Sequence, residues 1–124
     1  MENNQLKQLI DTSSRIILKV GSSLLINENN NDINYHWLKN FSREIQSLTD
    51  KKKQIMIVSS GSVALGRKQL NLVKSLSLDE KQAAAAVGQI HLSHAWKEVL
   101  KSFNLESAQI LLAPDDTETR RKHL

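Results

Sequence analysis

The sequence predicts an α/β domain built on a parallel sheet, and three observations carry that expectation. Two short apolar runs, Arg15-Ile16-Ile17-Leu18-Lys19-Val20 and Gln54-Ile55-Met56-Ile57-Val58, are each closed by serine and glycine. Between them lies a segment with helical spacing, in which Trp37, Leu38, Phe41, Ile45 and Leu48 share one face. A second helical segment follows the second run. Strand, helix, strand, helix is a βαβ unit, and its right-handed crossover makes the two strands parallel.

The elements follow in order. Residues 1–14 are a polar N-terminal arm with scattered Leu6, Leu9 and Ile10, either a short helix or a frayed end; the domain proper runs from Arg15 to Leu124. The β-branched run Arg15 to Val20, closed by Gly21-Ser22-Ser23, has the pattern of a strand buried on both faces and ending in a tight turn. Asn27 to Asn34 reads as an Asn-rich loop and Tyr35 to Leu48 as an amphipathic helix. Lys51-Lys52-Lys53 is a solvated loop leading into the second strand, after which Val63 to Leu70 is helical. Ser77 and Glu80 form a capping-box signature that opens a long helix reaching about Phe103. Within it, Ala83 to Ala86 and Gly88 leave a smooth stretch suited to close packing or to a subunit contact. Ala108 to Leu112 predicts a third strand, broken by Ala113-Pro114. Trp37, Phe41, Trp96 and Phe103 fall on apolar helix faces and read as core.

Composition bounds the chemistry. The 124 residues, 40% of them hydrophobic, suffice for one core and one domain at most. No apolar run approaches the roughly 20 residues that span a bilayer, and the N-terminus lacks the basic and apolar regions of a secretory signal, so a soluble, cytoplasmic protein without a membrane partner is expected. The absence of cysteine excludes disulfide scaffolds, thiolate metal sites and cysteine nucleophiles. A net charge of +4 favours a phosphate-bearing ligand but is too small an excess to argue for nucleic acid, and no aromatics interleave Lys51 to Lys53 to stack on bases.

Two places could carry chemistry, both just past the carboxyl end of a parallel strand, where open α/β sheets bind ligands. In Lys19-Val20-Gly21-Ser22-Ser23 the glycine lets backbone approach a phosphate, successive N–H groups can cradle its oxygens, and the lysine supplies a point charge; a plain strand-ending turn accounts for the same residues. In Ser59-Ser60-Gly61-Ser62 a helix N-terminus suits a carboxylate or phosphate, and an ordinary serine N-cap is the alternative. Neither a G-x-G-x-x-G fingerprint nor a Walker P-loop is present. His91 and His94, three apart, read as an exposed helical pair, and Asp115, Asp116 and Glu118 as a helix-start cap rather than a magnesium cluster, so no metal site is assigned.

Taken in order, Ile16 to Leu25, Ile57 to Arg67, Lys81-Gln82-Ala83-Ala84-Ala85-Ala86-Val87-Gly88-Gln89, and Gln109 to Leu112 with Asp116 and Arg120 resemble the amino-acid kinase family, and within it the glutamate 5-kinase branch. Ser62 stands where that branch more often has alanine. The resemblance implies a partial three-layer fold with a mainly parallel sheet and flanking helices, corresponding to the N-terminal part of the kinase domain. It also implies ATP-dependent phosphorylation of the γ-carboxylate of L-glutamate, the first step towards proline. By that resemblance Lys19 is the catalytic residue against the transferring phosphoryl group, and Gly21, Ser22 and Ser23 hold ATP phosphates. Ser60 and Gly61 hold L-glutamate, and Mg2+ arrives with the nucleotide. The full-length family is expected to form homo-oligomers. Groups that finish the pocket in relatives have no counterpart in these residues, so little turnover is expected of the chain alone. A non-catalytic or dimerising fragment and one half of a split kinase are the alternatives.

Overall fold

The computed structural model describes residues 2–112; the expectations for Ala113-Pro114 and for Asp115, Asp116, Glu118 and Arg120 lie outside the described residues. The elements are α1 (Glu2–Thr12), β1 (Arg15–Val20), α2 (Ser22–Leu25), β2 (Ile26–Asn27), β3 (Asp32–Ile33), α3 (Tyr35–Asp50), β4 (Gln54–Ser59), α4 (Ser62–Gln69) and α5 (Leu78–Ser102). β1 and β4 pair in parallel, from Arg15 opposite Gln54 to Val20 opposite Ser59, with α3 as the crossover. The mixed α/β architecture, a parallel sheet with flanking helices, is the one anticipated.

The sheet alternates as a pleated strand must. Leu18, Val20, Ile55 and Ile57 face the helices and join a core formed by Leu25, Leu38, Ile45, Leu65, Leu92, Trp96, Val99 and Leu100. Ile17, Met56 and Val58 point the other way and are 63%, 50% and 49% exposed. The expected burial on both faces is therefore corrected: within the described residues only one face of β1 and β4 is covered, although their composition is that of strands enclosed twice.

The third strand is also corrected. Residues 108–112 form no ladder, and Ile110, Leu111 and Leu112 are exposed. Gln109 and Leu111 instead lie beside Ser62, Gln89 and Ser93 at an open groove along α4 and α5. Strand-like composition reports fit to a pleated surface, but a strand exists only where an edge pairs with it.

Two local features replace expected irregular backbone. Gly21 to Leu25 closes as a single helical turn, with Leu24 and Leu25 N–H donating to the Gly21 carbonyl at 3.3 and 3.4 Å. The Asn-rich loop is a short antiparallel hairpin, Ile26 opposite Ile33 and Asn27 opposite Asp32. Asparagine builds its turn: Asn29 N–H donates to Asn27 Oδ1 and Asp32 N–H to Asn30 Oδ1, both at 3.0 Å, while Asn31 adopts φ 52°. Lys53 is not simply solvated, since its Nζ donates to the Asp11 and Ser13 carbonyls and ties the end of α1 to the head of β4.

The long helix starts as its sequence predicts, with both capping-box bonds present: Glu80 N–H to Ser77 Oγ at 3.2 Å and Ser77 N–H to Glu80 Oε1 at 3.1 Å. The Ser77 N–H, and with it the Ser77 hydroxyl, holds the Glu80 carboxyl below its ordinary value. Its smooth stretch is used inside the domain. Gly88 and Ala84 lie against the backbone of α4 at Ser62 and Gly66, so close packing is what the small residues provide at these positions. Helices α3, α4 and α5 end alike. After each, a residue of positive φ (Lys52, Asn71 or Asn104) donates its N–H to Thr49, Lys68 or Lys101, and the next N–H returns to Leu48, Arg67 or Leu100. These are three Schellman closures.

Candidate functional site

The two candidate segments meet because β1 and β4 end side by side. Lys19 is in register with Val58 and Val20 with Ser59, and the Ser60 N–H donates to the Val20 carbonyl at 3.0 Å. The backbone after each strand thus leaves the same carboxyl edge and turns at once into a helix, α2 from the first and α4 from the second. Two helix N-termini border one edge, and their first N–H groups have no acceptor within their own helix.

Lys19 occupies the uncovered face of β1, one residue before the edge, and is exposed. Among the described residues no carboxylate pairs with it; the ion pairs present gather on Asp32. Gly21 is the N-cap of α2, with extended backbone and no side-chain cap, which leaves the N–H groups at Ser22 and Ser23 open at the turn. The turn itself is anchored from beneath, because Leu25 and Ile26 are buried and the Asn34 N–H donates to the Leu25 carbonyl at 2.8 Å.

At the second segment Gly61 has φ 121° and ψ −5°, and a Cβ there would stand 3.2 Å from Ile26 Cδ1 and Cγ1. The backbone conformation favours glycine, and a Cβ would in addition press on the Ile26 side chain of the hairpin. Gly61 is the N-cap of α4, its carbonyl accepting from Leu65 N–H at 3.2 Å, and no side-chain cap bond forms. The serine N-cap alternative is therefore not realised. Ser60 stays exposed at the mouth, and no acceptor among the described residues meets the Gly61 N–H.

Sequence reasoning missed the support behind this second segment. Trp96, buried on α5, donates its indole Nε1–H to Ser59 Oγ at 3.0 Å, and Ser59 Oγ donates in turn to the Ser60 carbonyl at 3.1 Å. Trp96 was legible only as core. A polar edge on a buried aromatic commonly finds a partner, but the partner is 37 residues away.

The remaining candidates lie elsewhere. His91 Nε2 is 4.0 Å from Asp32 Oδ1, and Lys68 Nζ is 2.9 Å from Asp32 Oδ2, joining the hairpin to α4 and α5. The hydrogen bond from Lys68 and the Ile33 N–H hold the Asp32 carboxyl below its ordinary value. His94 is exposed on α5, and among the described residues no group of three His, Asp or Glu is gathered as metal ligands. No helix among them is long and apolar enough to cross a membrane.

An unpaired lysine and two open helix starts along one strand edge can bind two anionic groups side by side. The glutamate 5-kinase of Paramagnetospirillum magneticum is 44% identical over 112 residues, covering 90% of this chain and 30% of the relative. The glutamate 5-kinase of Rhodopseudomonas palustris (strain BisB5) is 48% identical over 111 residues, 89% of this chain and 30% of the relative. That of Ruegeria sp. is 40% identical over 116 residues, 93% and 32% respectively. The chain thus spans about 30% of the length of these curated relatives. Residues 14–124 match the Amino acid kinase family, nearly all of the sequence from the first strand onward, and the chain belongs to that family.

Proposed function

We propose that this chain carries the phosphate lysine and the substrate-holding helix start of a glutamate 5-kinase, which transfers the γ-phosphoryl group of ATP to the γ-carboxylate of L-glutamate in the cytoplasm. The observation that carries the reading is the convergence of Lys19 with Gly21-Ser22-Ser23 and of Ser60-Gly61 at one strand edge, tied by the Ser60 to Val20 hydrogen bond of 3.0 Å.

MgATP is a substrate here, and the metal comes with its phosphates. The open N–H groups at Ser22 and Ser23 fit phosphate oxygens, and the Lys19 ammonium, free of carboxylate partners among the described residues, offsets charge that develops as the phosphoryl group moves. Ser60 and the Gly61 N–H hold and orient the glutamate. A γ-carboxylate oxygen forms a bond to the γ-phosphorus while the bond from that phosphorus to the β,γ-bridging oxygen breaks, giving γ-glutamyl phosphate and ADP. No general base is needed, because a carboxylate of ordinary pKa about 4.3 is already ionised at neutral pH.

Titration calorimetry with MgATP and MgADP tests this reading. Lys19→Ala should weaken MgATP binding about tenfold, the scale of one charge-assisted hydrogen bond, and MgADP much less. Equal MgATP affinity in the variant and the parent chain overturns the role of Lys19. Hydroxamate trapping of γ-glutamyl phosphate by the isolated chain should stay at background. A second reading, a segment that works only when joined by another polypeptide, is favoured by the exposed sheet face at Ile17, Met56 and Val58; light scattering that finds a monomer in the presence of the remaining kinase segment counts against it.

A further inference from the structure

The geometry points to Ser59 and Trp96 as positioning residues that aim the Gly61 N–H at the substrate, an inference that rests on the reading of Ser60-Gly61 as the glutamate-holding segment. Indole nitrogen is a donor only, so at 3.0 Å Ser59 Oγ must accept from Trp96. The single Ser59 hydroxyl proton is then left for its other neighbour, the Ser60 carbonyl at 3.1 Å. The rotor is fixed by a group that cannot reverse its role. In a trans peptide the carbonyl and the following N–H point in opposite directions, and no cis bond occurs among the described residues. With the Ser60 carbonyl drawn back to Ser59, the Gly61 N–H is turned outward.

That peptide needs such a hold. Gly61 lies at φ 121°, reached by glycine with little preference over other values, and its N–H has no acceptor among the described residues. Without Ser59 the Ser60–Gly61 plane could rotate at small cost and the donor would be lost to the substrate. The anchor is rigid because Trp96 is 9% exposed, belongs to the core and packs edge-on to Phe41. Neither side chain touches the substrate in this scheme; both act through the backbone of the segment that does.

The test is an amide and indole nuclear magnetic resonance titration of the full chain with L-glutamate, alongside MgATP binding. In the parent chain the Gly61 amide and the Trp96 indole N–H should shift together to a common saturation. Ser59→Ala should weaken glutamate about three- to tenfold, the range of one neutral hydrogen bond, abolish the indole response and leave MgATP affinity unchanged. Ser59→Thr, which keeps the hydroxyl, should restore both, and Ser59→Val, of the same shape without it, should not. That pair decides the matter even where Ser59→Ala perturbs the fold. Saturable glutamate binding that is equal in the Thr and Val variants overturns the positioning role alone. Absence of saturable glutamate binding in the parent chain overturns the reading of the segment and this inference with it.

Discussion

Substitution of Gly88 by alanine should destabilise the domain although alanine is the better helix former. A Cβ at Gly88 would run into the Ser62 carbonyl oxygen first, and would also stand 2.6 Å from Gly66 N and 2.7 Å from the Ser62 carbonyl carbon. Ordinary contact begins at 3.4 Å, so α4 and α5 must part by at least 0.8 Å at Gly66. The opposing atoms are backbone, and no flexible side chain can absorb the shift. Overpacking costs typically about 1–3 kcal/mol, and a rigid displacement of α4, whose Leu65 is 1% exposed, belongs at the upper end. The gain in helix propensity returns about 1 kcal/mol, leaving a net loss of roughly 2 kcal/mol. Urea unfolding followed by circular dichroism should show the midpoint falling by on the order of 1 M, given slopes of about 1–3 kcal/mol/M. Ala83→Gly, at an exposed position of the same helix, isolates propensity and should cost about 1 kcal/mol. A midpoint for Gly88→Ala equal to or above that of the parent chain refutes the backbone contact. The displacement starts at Ser62, next to Gly61, so glutamate affinity should fall together with stability.

Two further predictions concern local stability. Lys52 sits at φ 64°, where an L side chain costs roughly 1–2 kcal/mol, so Lys52→Gly should raise the urea midpoint despite removing a charge; a lowered midpoint rejects the left-handed closure of α3. Asp32 is held below its ordinary 3.8 by Lys68, so its contribution is present above that value and lost as pH falls through the lower folded value. Both partners are over 40% exposed, so Asp32→Asn should cost about 0.2–1 kcal/mol at pH 7 and converge on the parent chain in strong acid; a gap that persists there argues against the ion pair.

Much of the fold was legible because periodicity and capping are local. β1, β4, α3 and the start of α5 follow from apolar spacing and from the Ser77-Glu80 pair. Helix ends were less so. Asn71 and Asn104 stand directly after the last helical turns and are the residues that tolerate positive φ, a signal that could have been used, whereas Lys52 in the same role carries no sequence mark. The hairpin of Ile26 to Ile33 was invisible because strands of two residues show no alternation. For the third strand and for double burial, composition described an environment that the described residues do not supply.

The site divides along the same line. Lys19, Gly21 and Gly61 could be singled out because glycine and lysine after an apolar run mark a strand edge by themselves. What brings the two segments together is the register of β1 on β4, a nonlocal fact that the βαβ pattern implies without specifying residue against residue. The Trp96 to Ser59 link is more remote still: its donor is one atom of a side chain that otherwise behaves as core, and its acceptor differs from the adjacent Ser60 only in facing inward. Alternation along β4 decides which serine faces inward. Ser59 falls on the helix-facing side with Ile55 and Ile57, so its hydroxyl is spent on Trp96 and the Ser60 carbonyl, while Ser60, just past the strand, is exposed. A one-residue slip of β4 would exchange these positions, which makes the strand register itself the determinant of which serine faces outward at the strand edge.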